Sequence, residues 1–317
     1  MAVLAWAASR LDWSELARRV AAASPLYLCG MLATLVAAML VRPLRFRFLL
    51  NVLGHVQGAT YRTVWAGMVL GGATNTFAPM RAGDVVLAVF LRQRLGVGIH
   101  RTFTVIVADW ACDFICVVTA FLAALAFAPT VPTWTGHAVA ILLSMMGLGI
   151  AGLFSVLRWR GHVVRLLDWV LARLAPRWRE RVGKIAEEVL EGLAEIGHWR
   201  TAVPLVLVSA GIWGLTWLSY ALGLRAVHEY ATPAAAAFTM AAVTLSFAVP
   251  LGPGGLGAFE AASVLALTVF EVPLEPAIAF AVIAHLFQLG SVAVFAALAV
   301  LIGHIDYRSL WSSSKKQ

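Results

Sequence analysis

Phe247-Ala248-Val249-Pro250-Leu251-Gly252-Pro253-Gly254-Gly255-Leu256-Gly257-Ala258-Phe259-Glu260 stands inside an otherwise apolar run from residue 234 to 270. The eight residues from Pro250 to Gly257 hold two prolines and four glycines. That composition forbids a regular helix, because proline removes a backbone donor and glycine carries the largest backbone entropy cost. Backbone groups freed within hydrocarbon survive only against protein or a water-filled cavity. A helix restarting near Leu256 turns its unpaired N–H groups and positive dipole end toward the break, a place suited to an anion such as a lipid phosphate. The amides of Gly254, Gly255 and Leu256 are the ones expected to hold it. Glu260 follows in the first turn, either as an acid stabilised by the dipole or as a proton carrier or headgroup ligand.

Composition makes hydrocarbon the expected solvent. Of 317 residues, 61% are hydrophobic with glycine left out, against roughly 45–50% with glycine included in a soluble domain. Charged residues are 13%, about half the usual share. The formal charge of +8 comes with arginines gathered between apolar segments, as in the cytoplasmic loops of membrane proteins. With no soluble basic domain, nucleic acid is not an expected partner.

A membrane span needs about 20 mainly apolar residues. Ser24–Val41, Arg101–Pro129, His137–Leu157, Thr201–Val227 and Glu275–Gly303 meet or approach that length. The runs 62–90 and 234–270 are longer than one span and broken near the middle by proline, glycine and an acid. Met1–Ala8 reads as the stump of a further span, and Arg10–Ala22 as a short interfacial helix on the outer side. Arg42, Arg45, Arg47 and Arg62, then Arg92, Arg94 and Arg101, then the stretch 158–200 mark the cytoplasmic side under the positive-inside rule. The broken run 62–90 then enters and leaves from inside, and 234–270 from outside. The expected fold is an all-α polytopic membrane protein of two inverted-topology halves with broken, re-entrant helices. Residues 1–157 form the first half, 158–200 a cytoplasmic amphipathic helical linker, and 201–317 the second half.

The first broken run reads Thr74-Asn75-Thr76-Phe77-Ala78-Pro79-Met80-Arg81-Ala82-Gly83-Asp84. Arg81 and Asp84 stand three apart, close enough on a helix to pair with each other or to offer a cation and an anion to a zwitterionic or phosphate headgroup. Asn75 is a further candidate ligand. Asp109 and Asp113 share a helix face inside an apolar run, where two carboxylates are costly. They can hold one proton between them, or pair with Arg81 or Arg92. His285, in the last span, is expected to be hydrogen-bonded, with proton relay as the other reading. Cys29, Cys112 and Cys116 read as small apolar fillers, with neither disulfide nor metal spacing. The chain carries no GxSxG, HExxH, P-loop or GxGxxG opening a soluble βαβ unit, so no enzyme class, metal or cofactor is expected.

Arg42-Pro43-Leu44-Arg45-Phe46-Arg47-Phe48-Leu49-Leu50, then Asn75 to Asp84, then Pro250 to Glu260 together resemble the membrane domain of lysylphosphatidylglycerol synthase/flippase proteins, in family order and over nearly the whole chain. The resemblance implies a flippase-like fold of a bacterial inner membrane. It departs from the family pattern at Asp84, where glutamate is usual, at Ala88, at Asp109-Trp110 and at His285, where the family often has arginine. No part resembles the family's soluble aminoacyl-transferase domain, so no lipid aminoacylation is expected from this chain.

The expected function is movement of an anionic, glycosylated or isoprenoid-type lipid between leaflets. Asn75, Arg81, Asp84, Gly254, Gly255, Leu256 and Glu260 would bind the headgroup, and Asp109, Asp113 and His285 would relay charge or protons. A small intramembrane lipid-modifying enzyme and a scaffold that docks lipid-synthesis proteins are the alternatives.

Overall fold

The computed structural model describes residues 13–53, 56, 58–78, 81–129, 198–227, 232–247 and 253–301, with isolated positions between 136 and 183. The expected span His137–Leu157 and nearly all of the linker 158–200 lie outside the described residues, as does the stump 1–8.

Among the described residues the secondary structure is helical: α1 (Trp13–Ala22), α2 (Pro25–Leu53), α3 (Tyr61–Phe77), α4 (Ala82–Leu95), α5 (Ile99–Leu125), α6 (Trp199–Val227), α7 (Pro233–Ser246), a 3-10 turn (Pro253–Gly255), α8 (Ala258–Thr268) and α9 (Leu274–Leu301). Four of them, α2, α5, α6 and α9, have 27 to 29 residues and are apolar enough to cross a membrane. At about 1.5 Å per residue each exceeds the roughly 30 Å of a hydrocarbon core. Large apolar side chains face outward on these and the shorter helices: Val206, Leu207, Leu265, Leu286 and Val294 are all more than half exposed. The chain is a multi-pass helical membrane protein.

The first span is longer than its apolar stretch suggests. Helix α2 runs on past Val41 through Pro43 to Leu53, so Arg42, Arg45 and Arg47 are helical rather than part of a connecting loop. Arg45 is 1% exposed and cannot serve as a loop charge. The cause is tertiary, since the anions that make its burial tolerable come from another helix.

The two broken runs appear as helix pairs. In the first, α3 ends at Phe77 and α4 begins at Ala82; in the second, α7 ends at Ser246 and α8 begins at Ala258. Both restarts use the same device. The residue before each second helix has positive φ, 54° at Arg81 and 84° at Gly257, and an acid follows at the third helical position, Asp84 and Glu260.

Packing pairs the halves. Helices α2 and α6 pack on each other more extensively than any other two, and α3 lies on α9 as α7 lies on α5. Small residues let α2 and α6 approach: a Cβ on Gly223 would collide with the Met31 sulfur, and one on Gly30 would press on Leu222. Two apolar cores result. One gathers the α3–α4 pair with Phe46, Leu49 and Leu50 of α2, Val105 and Ile106 of α5, Leu205 of α6 and Ala299 of α9. The other gathers the α7–α8 pair with Met31 of α2, Phe121 of α5, Leu224 of α6 and Phe280 of α9. Along the chain, α2 and α9 therefore run from the second core to the first, and α5 and α6 the opposite way. That alternation is what an inverted repeat requires.

The α3–α4 hairpin depends on a close backbone approach. A Cβ on Gly83 would meet the Gly71 carbonyl oxygen and the Asn75 side chain, whereas one on Gly72 would meet nothing within 4 Å. Gly83→Ala is expected to destabilise the protein by about 1–3 kcal/mol through overpacking. Gly72→Ala should leave it unchanged or slightly firmer. Unfolding of the two variants in mixed micelles compares them directly.

Candidate functional site

A cavity of about 270 Å³ opens beside the first break, lined from α2, α3, α4, α5 and α9. It takes in Asn75, Arg81, Asp84, Asp109 and Asp113, with Arg42, Trp65 and Trp110. Gly254, Gly255, Leu256, Glu260 and His285 do not line it. The candidate residues thus separate into a polar cavity and a closed turn.

At the cavity's inner wall is an ionic network. Arg45 Nε donates to Asp109 Oδ1 at 2.8 Å, and its Nη2 lies 2.7 Å from Asp113 Oδ1. Its Nη1 donates to Ser209 Oγ at 3.3 Å. Arg42 Nη1 reaches Asp113 Oδ2 at 3.2 Å, and the indole N–H of Trp213 donates to Asp113 Oδ1 at 2.9 Å. Arg42 also lies over the Trp213 ring, 5.5 Å from its centroid. Two acids of α5 are thereby matched by two arginines of α2, with Ser209 and Trp213 of α6 completing the hydrogen bonds. The sequence reading offered Arg81 or Arg92 as partners; the partners are Arg42 and Arg45.

At the break itself, Asn75 fastens the hairpin. Its Oδ1 accepts from the Gly83 backbone N–H at 2.7 Å, and its Nδ2 donates to Asp84 Oδ1 at 3.3 Å. Asp84 Oδ2 is buried and, among the described residues, has no hydrogen-bond partner; Arg81 Nε lies 3.9 Å from it. Arg81 holds a left-handed backbone, unfavourable for a side chain with a Cβ, and its guanidinium rests 4.0 Å from the centre of the Trp110 ring. Its side chain is 60% exposed, against 33% for Arg42, which makes it the more accessible of the two arginines in the lining.

The second break is closed on itself. Glu260 Oε2 accepts from the Gly257 N–H at 2.7 Å, and Oε1 lies 2.7 Å from His285 Nδ1. His285 Nε2 faces the Gly254 carbonyl oxygen at 2.9 Å, so Nε2 must carry a proton. A second proton lies in the bond between Nδ1 and Oε1, and the pair is neutral overall whichever atom holds it. Phe259 stacks on the imidazole with ring centres 4.5 Å apart. Helix α8 starts at Ala258, two residues beyond the restart read near Leu256, and its first-turn acid caps its own amide instead of leaving it for an external anion. The two breaks touch where Gly254 sits near Thr76 at the end of α3 and Leu289 of α9.

Sequence reading missed Arg42, Arg45, Ser209, Trp213 and the lining tryptophans. The available signal was spacing: Arg42 and Arg45 at i, i+3 match the i, i+4 aspartates of another span, and two buried acids demand two cations. Placing both arginines in a cytoplasmic stretch after the first span hid it.

The family model for the lysylphosphatidylglycerol synthase TM region matches residues 1–298. The chain belongs to this family, which ties it to membrane lipids. No curated protein and no solved structure matches it.

Removing Arg45 leaves the buried Asp109 and the partly buried Asp113 with only Arg42. Arg45→Met is expected to cost about 3–5 kcal/mol of stability, and Asp109→Asn added to it should recover part of the loss. Chemical unfolding of the single and double variants tests this. His285→Ala breaks the turn's closure and leaves Glu260 without its side-chain partner. A cysteine in place of Ala258, which is 6% exposed beside the closed turn, should then react with a soluble maleimide several-fold faster than in the parent, and equal rates would remove the closing role of His285.

Proposed function

We propose that this chain moves a polar lipid head between the leaflets of a bacterial inner membrane, using the cavity beside the first break as the head's binding place. The observation that carries this reading is a cavity lined by an exposed arginine, a half-satisfied aspartate and an ion-pair network, set within a bundle whose outer face is apolar. Charged side chains inside a membrane bundle mark ligand or ion pathways. An inverted arrangement of halves, with two breaks in contact, is the architecture in which one half rocks against the other around a central site. The family supports the lipid as cargo.

Within this reading Arg81 takes the phosphate, as a forked donor suited to oxyanions. Asp109 and Asp113, matched by Arg42 and Arg45, anchor the wall. The closed turn of Gly254, Glu260 and His285 joins the second break to α9 and couples the halves. The chain carries no nucleotide-binding motif; the proposed energy source is a gradient or a partner protein.

The test is a reconstituted-liposome assay in which a fluorescent lipid becomes accessible to an impermeant quencher. Native protein is expected to speed exchange over protein-free vesicles, and Arg81→Ala to slow it by about tenfold, a loss of roughly 1.4 kcal/mol. No protein-dependent exchange across a panel of anionic, zwitterionic and glycosylated lipids would overturn the reading.

A further inference from the structure

The charges around the cavity cancel. Arg42 and Arg81 line it together with Asp84, Asp109 and Asp113, and Arg45 stands behind the wall bonded to Asp109 and Asp113. Three arginines face three aspartates, a sum of zero. Sequence reading expected an anion held by Arg81 with the amides of Gly254, Gly255 and Leu256, and left Arg81 and Asp84 open to a zwitterionic or a phosphate head; among the described residues no cation is left over to match a net negative charge.

We infer that the cavity selects a net-neutral, zwitterionic phospholipid head, whose phosphate engages Arg81 and whose ammonium engages Asp84. The inference rests on the cavity being a headgroup site, and it names the charge class that the site accepts. Arg81 and Asp84 form a loose pair, 3.9 Å apart, with Asp84 Oδ2 lacking any hydrogen bond. A head carrying its own anion and cation a short spacer apart can exchange with that pair: the phosphate draws Arg81 away, and the ammonium takes the place beside Oδ2. Both protein charges stay matched throughout. A head of net charge leaves one unmatched charge in a low-dielectric wall, where the cost is large.

The remaining polar features fit the same ligand. Trp110 presents the ring on which Arg81 rests; once Arg81 is drawn to phosphate, that face can receive an ammonium. Asn75 is already committed to Gly83 and Asp84 and reads no head directly.

Binding, not movement, tests this. Purified full-length protein in detergent is titrated with phosphatidylethanolamine, phosphatidylglycerol and a trimethylammonium-propane lipid of the same acyl chains, and bound lipid is counted by native mass spectrometry. The zwitterionic lipid is expected to bind about tenfold more tightly than either charged one. Asp84→Asn leaves the cavity at +1 and should move the preference to phosphatidylglycerol. Arg81→Gln leaves it at −1 and should move the preference to the cationic lipid. A purely structural role for these residues would weaken all three lipids alike, and that result, or a native preference for phosphatidylglycerol, overturns the inference. Selective binding with no exchange in the liposome assay would instead remove translocation and leave the selectivity standing.

Discussion

An arginine inside an apolar bundle must bring its counter-charges with it, and Arg45 is that arginine. It is almost wholly inaccessible and takes Asp109 and Asp113 of α5, while Ser209 and Trp213 of α6 complete the hydrogen bonding. Three long helices from the two halves are thereby held at one level of the bundle. Desolvation makes such a network weak evidence for net stability, yet it makes each member hard to remove and the register of the helices specific. The same network builds one wall of the cavity, so the constraint that seats α2, α5 and α6 also sets where a polar ligand can go.

Around that anchor the two halves repeat a single device with different outcomes. Each broken pair restarts its second helix after a residue with positive φ and places an acid at the third helical position. Glu260 has one more methylene than Asp84 and folds back to cap Gly257. It also pairs with His285, which closes the second break. Asp84, shorter by that methylene, is held by Asn75 and leaves an oxygen without a partner beside Arg81. Difference in length of one side chain, together with His285 on the facing helix, thus separates a closed turn from an open, polar one.

The restart also explains why Arg81 sits where glycine would be easier. A left-handed backbone at a residue with a Cβ is unfavourable, and the cost recurs in structures where the side chain placed there has a task. Here that backbone lays the guanidinium on Trp110 and near Asp84, exposed to the cavity. Its counterpart Gly257 adopts the same sign of φ without strain and presents no side chain.

Much of the architecture is written in local pattern. The apolar runs 24–41, 101–129, 201–227 and 275–303 and the proline and glycine clusters near 79 and 250 determine four long helices and two broken pairs, because hydrocarbon demands length and internal hydrogen bonding and those residues deny it. Asp84 and Glu260 as first-turn acids follow from the same rules. Tertiary structure decided what local pattern cannot carry. It chose Arg42 and Arg45 over Arg81 and Arg92 as partners for the α5 acids, extended α2 through Pro43, closed Glu260 onto His285, and put a polar cavity beside the first break. The physical reason is that a charge in a membrane bundle is tolerated only where its partner lies, and that partner is 64 residues away for Arg45 and Asp109 and 25 for Glu260 and His285.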